Sequence, residues 1–373
     1  MEHSLYIHIP FCESKCLYCD FVSYSNLAHM QQDYVKALLT EMRFYRGTRI
    51  RTIFMGGGTP TCLAPGLISA VLKGVRDIFN VGGCVETTVE ANPGTLTKNM
   101  LTALKGNGAD RLSIGLQSWN PEELRTLGRI HNRGEFVENF RKARDTGFDN
   151  INVDLIFGIP GQTMDSWKET LNATTAMQPE HISCYSLKIE EGTGFHRMLN
   201  QGILHETDPD LDREMYHYAA GFLENSGYNR YEISNFALKG RECAHNLAYW
   251  RNMSYIGVGA SAHSYTGRVR RWNVPDIHRY CSLIERGHLP VEGSENIPEG
   301  TEMFETVFLN LRTRRGIDFC EFKERFGTDI RLLYKDRLKE LEKEGLVDID
   351  EEGLRLTNMG IDLSNRVFIE FLR

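Results

Sequence analysis

Cys12, Cys16 and Cys19 lie within eight residues at the spacing C-x3-C-x2-C. Thiolates are soft ligands that suit iron–sulfur clusters and zinc. A closed structural zinc site takes four protein ligands, so three thiols leave one metal position open. That arrangement suits a 4Fe–4S cluster whose fourth iron meets an exogenous ligand. Zinc completed by His8 and three unrelated thiols are the alternative readings. The other six cysteines, Cys62, Cys84, Cys184, Cys243, Cys281 and Cys320, are scattered. An odd total is no disulfide framework, and most of the six read as small buried hydrophobes.

The elements that must position this triad are legible as apolar runs. Leu5–Ile9, Thr52–Met55, Thr87–Ala91, Arg111–Gly115, Ile151–Phe157 and His181–Leu187 are short, rich in Ile, Val and Leu, and bounded by Gly, Pro or Asn. These are the marks of parallel strands. Helical patterns fall between them. Tyr34, Val35, Leu38, Leu39 and Met42 share one helix face, as do Phe136, Val137, Phe140 and Ala143. Asn120-Pro121-Glu122-Glu123 starts a helix with a cap, a first-turn proline and acidic residues. Six strand–helix units with right-handed crossovers predict an α/β fold, a partial (β/α)6 barrel open on one side. The triad then follows the first strand, at the barrel end where chemistry sits.

The expected division is a barrel over 1–230, a connecting segment over 231–299 and a C-terminal, mainly helical, winged-helix-like domain over 300–373. The stretch Ile189–Leu204 reads as irregular. In the last domain, Gly345–Val347, a turn at Glu351–Gly353 and Leu354–Leu356 form a small hairpin.

The string YIHIPFCESKCLYCDF resembles the opening of radical S-adenosylmethionine (SAM) proteins of the oxygen-independent coproporphyrinogen III oxidase family. The resemblance implies that the open iron takes the amino and carboxylate groups of SAM. It also implies that an electron from the reduced cluster cleaves SAM to a deoxyadenosyl radical. Gly56-Gly57-Gly58-Thr59-Pro60 alone reads as a turn whose glycines let backbone approach a ligand. By resemblance Gly57, Gly58 and Thr59 belong to an element that contacts the SAM amino group. Glu90 in VEANPG, Gln117 in SIGLQS, Arg129 in LGRIH and Asp154 in NVDLIFG follow in the family's order. The resemblance gives Arg129 the SAM carboxylate, Glu90 the ammonium, and Gln117 and Asp154 the ribose. Such roles suit an arginine fork and carboxylate acceptors. Asp154 stands out without the resemblance, because an unpaired carboxylate in a buried strand is costly. Tyr6 and Tyr18 flank the triad and are expected near cluster and adenine.

The resemblance covers essentially the whole chain and points to one branch of the family. The oxidase usually has a fourth cysteine two residues after the third; here that position is Phe21. It also usually has a longer extension before the first strand, which here begins almost at Met1. Both features resemble the branch regarded as heme chaperones. So does H-N-x-x-Y-W at His245–Trp250, a signature of that branch associated with heme. Imidazole is a natural axial ligand for heme iron and aromatic rings pack on a porphyrin face. On residue chemistry alone His245 reads more readily as a hydrogen-bonded structural histidine in a turn, and the branch resemblance turns the reading toward heme. His263 in GVGASAHSY is a second candidate.

The implied function is a heme chaperone that holds a 4Fe–4S cluster and SAM, binds heme and passes it to an acceptor protein. An electron donor would serve the cluster. The alternatives are the oxidase itself and a zinc-stabilised interaction protein. The net charge of −7 argues against a general nucleic-acid partner, since phosphate neutralisation needs a basic face. No apolar run is long enough for stable membrane insertion and no secretory signal is evident, so the expected compartment is the cytoplasm.

Overall fold

The computed structural model describes residues 2–372. Six strands pair in sequence order and all in parallel: β1 (Glu2–Ile9), β2 (Arg49–Gly57), β3 (Glu86–Ala91), β4 (Arg111–Gln117), β5 (Ile151–Phe157) and β6 (His181–Ser186). With them come α1 (Gln31–Arg43), α2 (Pro65–Ile78), α3 (Lys98–Gly106), α4 (Pro121–Thr126), α5 (Arg133–Asp145), α6 (Met164–Ala176), α7 (Gly194–Asn200) and α8 (Pro209–Asn225). The order β1 to β6 is that of a barrel wound in one direction, and the sheet does not close on itself.

Period-2 alternation assigns the two faces. In β1, Leu5, Ile7 and Ile9 are fully buried in the apolar layer shared with Leu38 and Met42 of α1. The intervening Ser4, Tyr6 and His8 face the other way, into the barrel. That inner face is largely polar, and many of its side chains hydrogen-bond one another, as buried polar groups mostly do. Thr52 donates to Ser4 at 2.8 Å, Asn152 to Ser113 at 2.7 Å, and His181 Nδ1 lies 2.6 Å from Asn152 Oδ1.

The segment 231–299, together with the two residues before it, is more than a connection. β7 (Asn229–Arg230) and β8 (Asn235–Ala237) extend the sheet beyond β6. After α9 (Ala244–Trp250), β9 (Tyr255–Val258) pairs in parallel with the free edge of β1. β10 (His263–Thr266), β11 (Val269–Asn273) and, after α10 (Ile277–Glu285), β12 (Val291–Asn296) continue it antiparallel to make twelve strands. The cover of β1 therefore comes from a strand some 250 residues later, a pairing that local periodicity cannot reveal.

Ile189–Leu204 contains α7, which Thr193 caps by accepting from His196 N at 3.1 Å. Seven residues starting at Gly194 were too few to show a helical period. The C-terminal unit has its own apolar core around Phe322, Leu338, Leu354 and Phe368. It comprises α11 (Glu299–Leu311), β13 (Ile317–Asp318), α12 (Phe319–Phe326), α13 (Ile330–Leu333), α14 (Lys335–Lys343), β14 (Val347–Ile349), β15 (Gly353–Leu356), α15 (Asn358–Asp362) and α16 (Ser364–Ile369). Helices lead into a hairpin that β13 widens to three strands, as a winged-helix-like domain requires.

Candidate functional site

The loop after β1 carries the three thiols, all free and half-buried. Its backbone is tied at several points. Cys12 N donates to Tyr24 O at 3.1 Å, and Leu17 N to Leu127 O at 3.1 Å. Phe195 N, in α7, donates to Leu17 O at 2.8 Å. A Cβ on Gly194 would fall 3.0 Å from that same carbonyl, so a glycine lets α7 approach the loop.

The strand ends beside it converge on the triad. Gly58 N donates to Ile9 O at 2.9 Å and Thr59 N to Phe11 O at 2.7 Å, which fastens the glycine turn to the cysteine loop. A Cβ on Gly58 would lie 2.6 Å from Phe11 O. The Thr59 hydroxyl lies 3.6 Å from Cys12 Sγ and accepts from Asn92 Nδ2 at 2.7 Å. Arg129 Nη2 donates to Asn92 Oδ1 at 2.9 Å and to Gly115 O at 2.7 Å, while Nη1 donates to Cys16 Sγ at 3.4 Å. Thr59, Asn92 and Arg129 thus join Cys12 to Cys16 across the barrel mouth.

Gln117 adopts a left-handed backbone, φ 69°, where β4 slips register with β5. A non-glycine residue is strained there, which is a reason to look for function. Its amide and the Arg129 guanidinium both sit over Gly115, 2.6 and 2.5 Å from where a Cβ would be. Glu90 accepts from Gly57 N at 3.1 Å. Asp154 accepts from Ser113 at 2.8 Å and Asn152 at 2.9 Å. Burial holds the Tyr18 hydroxyl protonated, with Arg129 pulling the other way and Cys16, Cys19 and Asp154 close by. Tyr6 stacks on Phe54 at 6.4 Å and its hydroxyl lies 3.0 Å from His8 Nδ1.

These residues fit a cluster with SAM. Three free thiols stand at one barrel mouth, and the glycine turn is fastened beside them. Arg129 Nε is buried without a hydrogen-bond partner. The zinc alternative lacks its fourth ligand, because both His8 nitrogens are engaged, Nδ1 by Tyr6 and Nε2 by Val22 O at 2.9 Å. Among the described residues no three His, Cys, Asp or Glu side chains could hold a single metal ion. Of the six other cysteines, Cys184 and Cys243 are buried, Cys62, Cys84 and Cys281 are half-buried, and Cys320 is exposed. The small-hydrophobe reading therefore describes two of the six.

His245 lies elsewhere. It is fully buried on the barrel's inner floor, about 16 Å along β2 from the glycine turn. Its Nδ1 lies 2.9 Å from Thr52 Oγ1, and its ring packs against Phe54 and Tyr249. Its Nε2 is buried without a hydrogen-bond partner, and burial and then Arg111 push its pKa down to about 3. Glu86 receives Cys243 Sγ and the Ala244 and His245 amides, which anchors the HNLAYW helix α9 in the floor. Asn92 was missed by sequence reasoning; its one signal was its place two residues after Glu90, directly after the third strand.

Glu90 provides a test of the site's electrostatics. Burial, then the nearby Asp154, push its carboxyl up to about 8 from an ordinary 4.5. Between those values the unfolded chain sheds this proton and the folded chain keeps it, so the group lowers stability as pH rises toward 8. Glu90→Gln keeps the acceptor for Gly57 N and removes the titration. In cluster-free protein its unfolding free energy should gain on wild type by up to about 1.4 kcal/mol per pH unit in that window. Denaturant titrations at several pH values check this; a difference independent of pH contradicts it.

A one-way parallel half barrel with three thiols on its first loop defines a radical SAM protein. Residues 6–174 match the Radical SAM superfamily model and residues 297–363 the HemN C-terminal domain. The cofactors that this class implies are a 4Fe–4S cluster and SAM. The chain is similar to the coproporphyrinogen III oxidase HemN of Escherichia coli, with a TM-score of 0.86 and 25% identity over 99% of this chain and 89% of that one. It is more similar in sequence to the heme chaperone HemW of Bacillus subtilis, 38% identical over 99% of both chains. The heme chaperone HemW of Lactococcus lactis is 33% identical over 99% of this chain and 97% of its own. The chain belongs to the HemW family.

Proposed function

We propose that this protein is a heme carrier, which binds heme and hands it to an acceptor protein. The observation that carries this reading is the 38% identity, end to end, with a heme chaperone. Phe21 supports it. It stands where resembling oxidases have a fourth thiol, is 63% exposed, and forms part of the wall of a cavity of about 630 Å³.

In this reading Cys12, Cys16 and Cys19 hold the cluster. Arg129 takes the SAM carboxylate and Glu90 its amino group; Gln117 and Asp154 hold the ribose. Gly57, Gly58 and Thr59 form the turn that contacts the SAM amino group, and Tyr6 and Tyr18 pack near cluster and adenine. When bound, the cluster would supply one-electron reducing chemistry beside SAM. The electron donor and the heme acceptor are separate proteins. No described helix is long and apolar enough to cross a membrane, and the cytoplasm is the compartment we propose.

Hemin titrated anaerobically into cluster-loaded protein should give a saturable Soret band near one heme per chain. That heme should then pass to apomyoglobin added as a trap. Absence of saturable uptake contradicts the carrier reading.

A further inference from the structure

The cavity of about 630 Å³ lies between the barrel and the C-terminal unit, beside the cluster loop. Its walls include Tyr6 of β1, Phe21 of the cluster loop, Tyr249 of α9, Tyr255 of β9 and Phe308 of α11. Small-molecule sites commonly have this size, and aromatic walls suit a flat macrocycle. Heme also needs a ligand for its iron, and two histidines line the cavity, His8 and His263. Both nitrogens of His8 are already engaged, by Tyr6 and by Val22 O.

His263 differs in every respect that matters. Its side chain is exposed on β10, and its ring's contact is a stack on Trp272, its cross-strand partner, with centroids 6.1 Å apart and planes 25° apart. Trp272 is held from the next strand. Its partner there is Gly293, where a Cβ would lie 2.3 Å from the indole, so only a glycine lets the indole lie flat. The row Gly293, Trp272, His263 thereby sets the imidazole against a fixed indole plane at the cavity wall. Partial burial and then Arg270 lower the His263 pKa, so the ring is neutral at neutral pH, the form that binds metals. Arg270 lines the same cavity and donates to Glu305 of α11 at 2.8 Å.

We infer that this cavity is the heme site and that His263 is the axial ligand of the heme iron, an assignment that rests on the carrier reading above. The bond is a dative one from an imidazole nitrogen to ferric iron, and no electron or proton changes hands. His245, fully buried behind Tyr249, then supports the cavity wall and does not meet the iron.

The experiment is a hemin titration of cluster-loaded wild type, His263→Ala, His263→Met and His245→Ala, followed by Soret absorption, ferric EPR and heme loss to apomyoglobin. Wild type and His245→Ala should share an imidazole-ligated spectrum. His263→Ala should lose that signature and release heme at least about tenfold faster, since affinity changes at one site fall mainly on the off-rate. His263→Met should move the spectrum toward thioether ligation. Wild-type spectra and off-rate in His263→Ala would overturn the inference while leaving the carrier reading intact. No heme uptake by wild type would overturn the reading on which it rests.

Discussion

Replacing Cys12, Cys16 or Cys19 by alanine is expected to take anaerobically reconstituted protein from about four irons per chain to almost none. The three thiols share one short loop, and it is held by contacts that do not involve them. Cys12 N is bonded to Tyr24 O, and Leu17 is bonded on both sides to Leu127 and Phe195. Alanine at any of the three should therefore leave the barrel folded. The far-ultraviolet spectrum and the melting temperature of cluster-free protein should match wild type. What is lost is one of three soft ligands, and two thiolates do not fix a cuboidal cluster. Iron and sulfide analysis with optical and EPR spectra of each variant makes the check. If the triple variant assembles the same cluster, the metal assignment is wrong.

Arg129→Ala is expected to weaken SAM binding by roughly 1.5–3 kcal/mol, the range for a lost charge-assisted pair. The guanidinium is already oriented before any ligand arrives. Nη2 rests on Gly115 O and Asn92, and Nη1 on Cys16 Sγ. Burial opposes its charge, but Tyr18, Cys16 and Asp154 around it hold the pKa above the usual arginine value. A fixed cation of this kind loses little freedom on binding a carboxylate, which is why its removal should be costly. Arg129→Lys keeps the charge and loses the fork, and should fall between wild type and alanine. Because Arg129 touches Cys16, iron content must be measured alongside affinity. Unchanged SAM affinity at full iron loading would remove Arg129 from the site.

Much of this was legible in the residues because the signals are local. The six strands announced themselves as short Ile-, Val- and Leu-rich runs. The capping pattern of Asn120 appears in the structure, where its side chain accepts from Glu122 N at 2.9 Å. The triad and the glycine turn are contiguous strings. What the sequence hid is what depends on distant pairing. β9 is four residues, Tyr-Ile-Gly-Val, and becomes a strand only because the edge of β1 awaits it. Asn92 gained meaning only once Thr59 and Arg129 stood on either side of it. His245 and His263 look alike in sequence, one histidine each beside aromatic residues. Burial separates them, placing the first in the barrel floor and the second at a cavity wall.

The HemN resemblance keeps one rival reading in play, conversion of a tetrapyrrole instead of its carriage. Carriage needs an accessible, releasable heme site. Conversion must hold each propionate within reach of a radical. The most direct measurement is anaerobic incubation of cluster-loaded protein with SAM, reductant and coproporphyrinogen III, followed by chromatography of the tetrapyrroles. The carrier account predicts that coproporphyrinogen III is recovered intact. Protoporphyrinogen IX formed with SAM consumed in proportion would contradict it.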